Sequence, residues 1–357
     1  MATNTGIRAT LNSSFEAIYK ESIMSFEYLG ILPLYDPLYN YLTKELSCYG
    51  LINGATPGYS VSRLSGSNEV YLYEEIESGA RVVGKFFRSP SKQNSNPGSA
   101  NARREFLNIC HLRSYGFTGY PHYVVRPLAY SHELNDLLIE EFSEGESLGS
   151  VFDNALYSGY YDRLYCTLQA IAYFLATLHN RTATSMSANP VKDRHYLGKL
   201  ISTLVKNGDL SNDEVKEFSW YGDQWLKTPW LWQDVQVIIH GDATPANFLI
   251  GDGLMVTAID LERMQHRDRV YDVGSIIGEL VHYFLRASGN RFTVEPFITY
   301  FLQEYASHFP DREAAFFSIT KRLPFYMGLT LLRIARNNWL SREYRVRLIE
   351  EAREILR

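Results

Sequence analysis

The 357-residue chain carries 35 Lys and Arg against 40 Asp and Glu, a formal net charge of −5, and is 45% hydrophobic and 14% aromatic. This composition supplies a sizeable core and excludes a polar, disordered regulator, and the mildly acidic balance leaves no electrostatic footprint for nucleic acid or an anionic membrane. Cys48, Cys110 and Cys166 are odd in number and far apart, which argues against a disulfide framework or a zinc site; they read as reduced, buried thiols, and the expected location is cytoplasmic. The N-terminal residues hold no apolar signal core, and no apolar run is long enough to span a bilayer.

In chain order, residues 1–13 read as a loose terminus. Residues 14–48 place Ile18, Ile23, Phe26, Leu29, Leu34, Leu38 and Leu42 at helical spacing, broken by Pro33 and Pro37. A helical N-terminal extension over residues 1–50 is therefore expected. The texture then turns strand-like at 59–65, 69–78 and 80–87, with Gly66 and Gly79 at the turns. A polar stretch, 88–101, reads as a loop. A helix is expected over 102–116 from apolar positions 102, 106, 109 and 112, and two further strands over 123–130 and 136–142. Residues 51–145 thus form a small lobe of five strands and one helix. Beyond it, residues 146–357 read as mainly helical, at about 158–180, 190–206, 211–227, 272–287, 294–307, 312–337 and 341–356. Short strands interrupt the helices at 235–240, 247–250 and 256–260. The fold class is α+β, a small β-rich half followed by a larger helical half.

The chemistry concentrates in residues 237–264. His240-Gly241-Asp242 ends an apolar strand, Asn247 follows in a tight loop, and Asp260 ends the next strand pair. Phosphoryl transfer needs a carboxylate to orient an attacking hydroxyl and accept its proton. It also needs hard oxygen ligands for Mg²⁺ beside the phosphates, and an amide oxygen and a second carboxylate serve. Asp242, Asn247 and Asp260 supply one base and two ligands.

At these residues the chain resembles the aminoglycoside phosphotransferase and choline kinase group, small-molecule kinases with a two-lobed, protein-kinase-like fold. The group's catalytic loop, His-Gly-Asp, four variable residues and Asn, is matched by His240 to Asn247, and its metal motif by Ile259-Asp260-Leu261-Glu262. The resemblance implies that Lys85 holds the α- and β-phosphates and that Glu105 is its helix partner. It places Gly66, Ser67 and Asn68 at the turn of a phosphate-covering hairpin, and Glu140 and Phe142 in the hinge that receives adenine. The matches run from about residue 59 to 274, where Tyr271-Asp272-Val273-Gly274 opens a helix. The implied cofactors are ATP and Mg²⁺, and the implied partner is a small hydroxyl acceptor: a sugar, amino sugar, aminoglycoside or amino alcohol.

Each feature has a plainer reading. His240 reads as a structural brace, and Asp272 as a helix cap that braces the loop. Glu105 follows Arg103 and Arg104 and would serve as a surface ion pair. Glu262 fits a metal, a cationic substrate or solvent equally well. Between Asp209 and Glu279 stand 13 acids and 5 Lys or Arg, which suits a cationic acceptor, yet solvated helix faces carry such charge routinely. Tyr160, Tyr161, Trp220, Trp225, Trp230 and Trp232 offer stacking surfaces but read first as core. The basic last 37 residues read as a solvated amphipathic helix. No HRD segment of the kind protein kinases carry, with an Asn five residues beyond the Asp, occurs, and neither does DFG or APE. The alternative to an active kinase is a non-catalytic nucleotide-binding regulator on the same fold.

Overall fold

The computed structural model describes residues 26–53, 56–64, 69–88 and 102–357. The turn residues Gly66, Ser67 and Asn68, most of the 88–101 loop and the first half of the expected N-terminal extension lie outside them. The chain divides into two compact units. The first comprises the described residues up to Asp153 together with 249–251 and 257–262; the second comprises 154–248, 252–256 and 263–357.

The first unit is built on strands β1 (Phe26–Ile31), β2 (Tyr59–Leu64), β3 (Glu69–Glu75), β4 (Arg81–Phe86), β5 (Thr118–Gly119), β6 (His122–Val124), β7 (Pro127–Ser131), β8 (Leu137–Glu141) and β9 (Glu146–Ser147). Its main sheet has the order β1-β2-β3-β4-β8-β7, antiparallel throughout. Helix α1 (Pro37–Cys48) covers one face with Leu38, Tyr39, Leu42 and Leu46, and Asp36 caps it by accepting from the Leu38 N–H at 2.9 Å. Helix α2 (Ala102–Arg113) packs against β7 and β8. Its buried face is Ala102, Glu105, Ile109 and Leu112. The expected apolar series had Phe106 where Glu105 stands, so the helix turns an acid inward.

Two expectations are corrected here. Phe26–Ile31 forms an edge strand where helix was expected. Gly30 sits at φ +125, which no helix contains, and pairing with β2 outweighs the local spacing of Phe26 and Leu29. The expected strand 123–130 is two strands in two sheets. Val125 donates its N–H to Ala258 O at 3.1 Å, and Pro127 has no N–H to continue the ladder.

The second sheet has the order β5-β6-β12-β11-β9, where β11 is Phe248–Ile250 and β12 is Val256–Ala258. A two-stranded ribbon pairs β10 (Val237–Ile239) with β13 (Gln265–Arg267). Helix α3 (Leu148–Ser158) occupies residues given no element by periodicity. The helical unit continues with α4 (Asp162–Arg181), α5 (Val191–Lys206), α6 (Asn212–Lys227), α7 (Val270–Ser288), α8 (Glu295–Ser307), α9 (Arg312–Ala335) and α10 (Arg342–Leu356). These lie close to the expected segments because most bury an apolar stripe at helical spacing. Helices α7 and α9 approach closely at two glycines. A Cβ on Gly274 would stand 2.5 Å from Tyr326 Cβ, and one on Gly278 would stand 2.6 Å from Thr330.

The three cysteines are exposed and unbridged, not buried. Tyr160, Trp220 and Trp232 are likewise outside the core, exposed by 81%, 56% and 43%. Two arginines of the basic C-terminal helix pair with residues in or near α6: Arg345 with Asp209, and Arg353 with Glu214 and Glu217. Among the described residues, no helix is long and apolar enough to cross a membrane.

Candidate active site

Two sets of polar side chains stand out, one in each unit. In the first, the alternation of β4 turns Lys85 inward, opposite Leu138 of β8. Its Nζ lies 2.8 Å from Glu105 Oε1 and 3.0 Å from Glu140 Oε2. Both acids are fully enclosed, so Glu105 is the lysine's partner and not a surface ion pair with its arginine neighbours. The Glu140 side chain completes the lysine's cage, which leaves its expected backbone role in the hinge untouched. One ammonium cannot satisfy two buried carboxylates. Glu105 Oε2 and Glu140 Oε1 are buried and find no hydrogen-bond partner. Burial, followed by repulsion from Glu140 and Asp260, pushes the Glu105 carboxyl up to about 8 against the pull of Lys85. Burial likewise raises Glu140. Lys85 is held well above its usual range: burial opposes its charge, but Glu105, Glu140 and Asp260 outweigh it.

Asp260 follows β12 and adopts φ +61, a left-handed conformation rare for a residue with a side chain. The backbone after it is pinned to α2. Asn108 donates to Leu261 O at 2.8 Å and Arg104 to Glu262 O at 3.2 Å. Carboxylate oxygens of Glu105, Asp260 and Glu262 come within 4.8 Å of one another. Just after β8, Phe142 gives its N–H to Arg81 O at 3.2 Å, and the Arg81 guanidinium lies 4.5 Å over its ring.

The second set lies at the end of β10, whose three residues are all buried. The next two N–H groups, from His240 and Gly241, donate to the two carboxylate oxygens of Asp272 at 2.7 and 3.1 Å. Asp272 is the third residue of α7 and braces the loop, but it does not cap the helix: Arg269 holds the N-cap position. His179 Nε2 stands 3.3 Å from the same carboxylate, and its Nδ1 is 2.6 Å from Tyr305 Oη. The His240 ring packs against Phe248 at 5.1 Å. Gly241 is required twice over. Its φ is +80, and a Cβ there would stand 2.2 Å from Arg263 O. The loop closes on the Asp242 carbonyl, which accepts from Thr244 N at 2.7 Å and from Asn247 Nδ2 at 2.9 Å.

The Asp242 carboxylate is thereby fixed at its backbone, and its side chain meets two arginines. Arg333 Nη1 donates to Oδ1 at 2.8 Å, and Arg263 Nε stands 3.6 Å from Oδ2. Arg333 Nη2 also donates to Glu279 Oε1 at 2.8 Å. The ion pair of Glu140, and the partners Arg263, Arg333 and Glu279, were not found from the sequence. Most come from positions with no local spacing signal; only Arg263, three residues after Asp260, lies inside the motif segment.

Residues 61–315 match the model of a phosphotransferase enzyme family, to which the chain belongs. It is therefore a small-molecule phosphotransferase. No curated protein matches it significantly in sequence. Among solved structures it is similar to a Plasmodium vivax ethanolamine kinase, with 13% identity and a TM-score of 0.56 over 95% of this chain and 93% of that one. It is similar to choline kinase LicA from Streptococcus pneumoniae, with 16% identity and a TM-score of 0.53 over 90% and 99%. It also resembles an APH(2")-IIa solved with streptomycin and ATP, with 14% identity and a TM-score of 0.50 over 91% and 99%. At such identities the likeness establishes the protein-kinase-like fold alone.

Proposed function

We propose that the protein transfers the γ-phosphoryl group of ATP to a hydroxyl of a small molecule: a sugar, amino sugar, aminoglycoside or amino alcohol. The observation that carries the reading is the pinned loop. One carboxylate, Asp242, projects from a turn whose N–H groups are tied to Asp272 and whose carbonyl is tied to Asn247. In the proposed step the acceptor oxygen bonds to the γ-phosphorus, the bond to the β–γ bridging oxygen breaks, ADP leaves, and the hydroxyl proton passes to Asp242.

Lys85 would hold the α- and β-phosphates, with Glu105 keeping it in place. Gly66, Ser67 and Asn68 would cover the phosphates, and the Glu140–Phe142 hinge would receive the base. The residues fit a magnesium ion. Asp260 and Glu262 offer hard oxygens beside the unpartnered Oε2 of Glu105, and Asn247 uses its amide nitrogen for the loop, leaving the amide oxygen as a ligand. By the resemblance, Asp260 and Asn247 would be the ligands of the ion, which would neutralise phosphate charge during transfer.

The acid surplus does not by itself favour a cationic acceptor. Asp209, Glu214, Asp234, Asp242, Asp268 and Glu279 all have arginine partners. The regulator reading is disfavoured because Lys85, Asp242, Asn247 and Asp260 are all present. The test is ADP formation from Mg·ATP across a panel of sugars, amino alcohols and aminoglycosides. Acceptor-dependent ADP release supports the proposal; nucleotide binding with no turnover on any acceptor favours the regulator.

A further inference from the structure

The guanidinium on Asp242 comes from α9, a helix whose second half lies beyond the family-matched residues 61–315. Its position follows from the sequence of α7. Gly274 and Gly278 let α9 settle directly on α7, and one turn beyond Thr330 this brings Arg333 to Glu279. The guanidinium then bridges two carboxylates, with Nη1 on Asp242 Oδ1 and Nη2 on Glu279 Oε1, both at 2.8 Å. Its side chain is only 11% exposed. Burial works against its charge, but Glu279 and Asp242 more than offset that and hold it firmly protonated. A planar fork fixes the direction of both bonds, which a lysine cannot do.

We propose that Arg333 is a positioning residue for Asp242. It occupies Oδ1 and stops the carboxylate rotating, so that Oδ2 is the oxygen that takes the acceptor's proton. Arg263 Nε, at 3.6 Å, is too far from Oδ2 to hold it by a hydrogen bond. Glu279 keeps Arg333 in this pose. The inference rests on the phosphotransfer reading of Asp242.

The experiment measures ADP release from Mg·ATP, with water or the best acceptor of the panel, alongside ATP affinity by calorimetry. Misplacing a reacting group by an ångström costs on the order of 10²-fold in rate. Arg333→Met is therefore expected to lower kcat by about that factor while ATP affinity and acceptor KM stay within about twofold. Arg333→Lys keeps the charge without the fork and should recover part of the loss, as should added guanidinium with Arg333→Ala. In an Asp242→Asn background, Arg333→Met should add almost nothing. If Arg333→Met does not fold, Arg333→Lys and Glu279→Gln carry the same comparison. An active parent whose Arg333 variants turn over normally, or lose activity additively with Asp242→Asn and without guanidinium rescue, overturns this inference alone. A parent that forms no ADP with water or any acceptor overturns the phosphotransfer reading, and this inference with it.

Discussion

Asp242 and Asp260 are both carboxylates, but their settings separate their proposed roles. Asp242 projects from a loop tied down at its amides and carbonyl, whereas Asp260 sits in a left-handed turn beside two other acids. Asp242→Asn keeps size and removes the proton acceptor. Turnover should fall roughly 10²–10⁴-fold with Mg·ATP affinity near that of the parent. Asp260→Ala should weaken both turnover and Mg²⁺-dependent ATP binding; calorimetry with and without the metal separates the two variants. Glu105 gives a pH test. Its folded pKa, about 8, lies above the unfolded value near 4.5. Between those values the native state binds more protons, so its contribution to stability falls as pH rises through that window. Glu105→Gln imitates the protonated acid. Its melting temperature relative to the parent should therefore be higher at pH 8 than at pH 5 in the nucleotide-free protein. A constant difference would show that Glu105 does not hold its proton. At this scale Asp242, Asn247 and Asp260 are legible in the sequence as candidates, because their spacing is local. The sequence hides Arg333, 91 residues from Asp242, and Glu279, 54 residues from Arg333, because only helix packing joins them.

The helices of the second unit were legible from apolar periodicity, since most present a buried stripe, although α6 buries only Phe218, Tyr221 and Gly222. Elements decided by tertiary pairing were not. Phe26–Ile31 pairs with β2 despite its helical spacing, whereas α3 carries a legible helical series of buried residues, Leu148, Val151, Phe152 and Ala155. The α7–α9 contact depends on two glycines that look like defects in a helix. Replacing Gly278 by Ala would raise helix propensity by about 1 kcal/mol. The new Cβ would stand 2.6 Å from Thr330 and force the helices apart, and such overpacking costs roughly 1–3 kcal/mol. Gly278→Ala is thus expected to lower the denaturant midpoint with an unchanged slope. An increase would mean that α9 shifts freely, and Arg333 would then have no fixed seat.

For the whole molecule, a ligand that binds only the folded state stabilises it by mass action. Mg·ATP at about 100 times its dissociation constant should contribute about 2.7 kcal/mol and a measurable rise in melting temperature. Lys85→Ala should abolish most of that rise, whereas Asp242→Asn should keep it. An equal loss in both variants would contradict the division of labour between the two sets. The loop at Asp242 has a consequence for motion as well. The amides of His240 and Gly241 donate to Asp272, which lies against His179, itself joined to Tyr305. All five residues are buried, so no small fluctuation exposes those two amides to water. They should be among the slowest in the chain to exchange with deuterium, opening only when the helical unit unfolds as a whole. Their exchange rates would then report the global stability of that unit from inside its most chemically important turn.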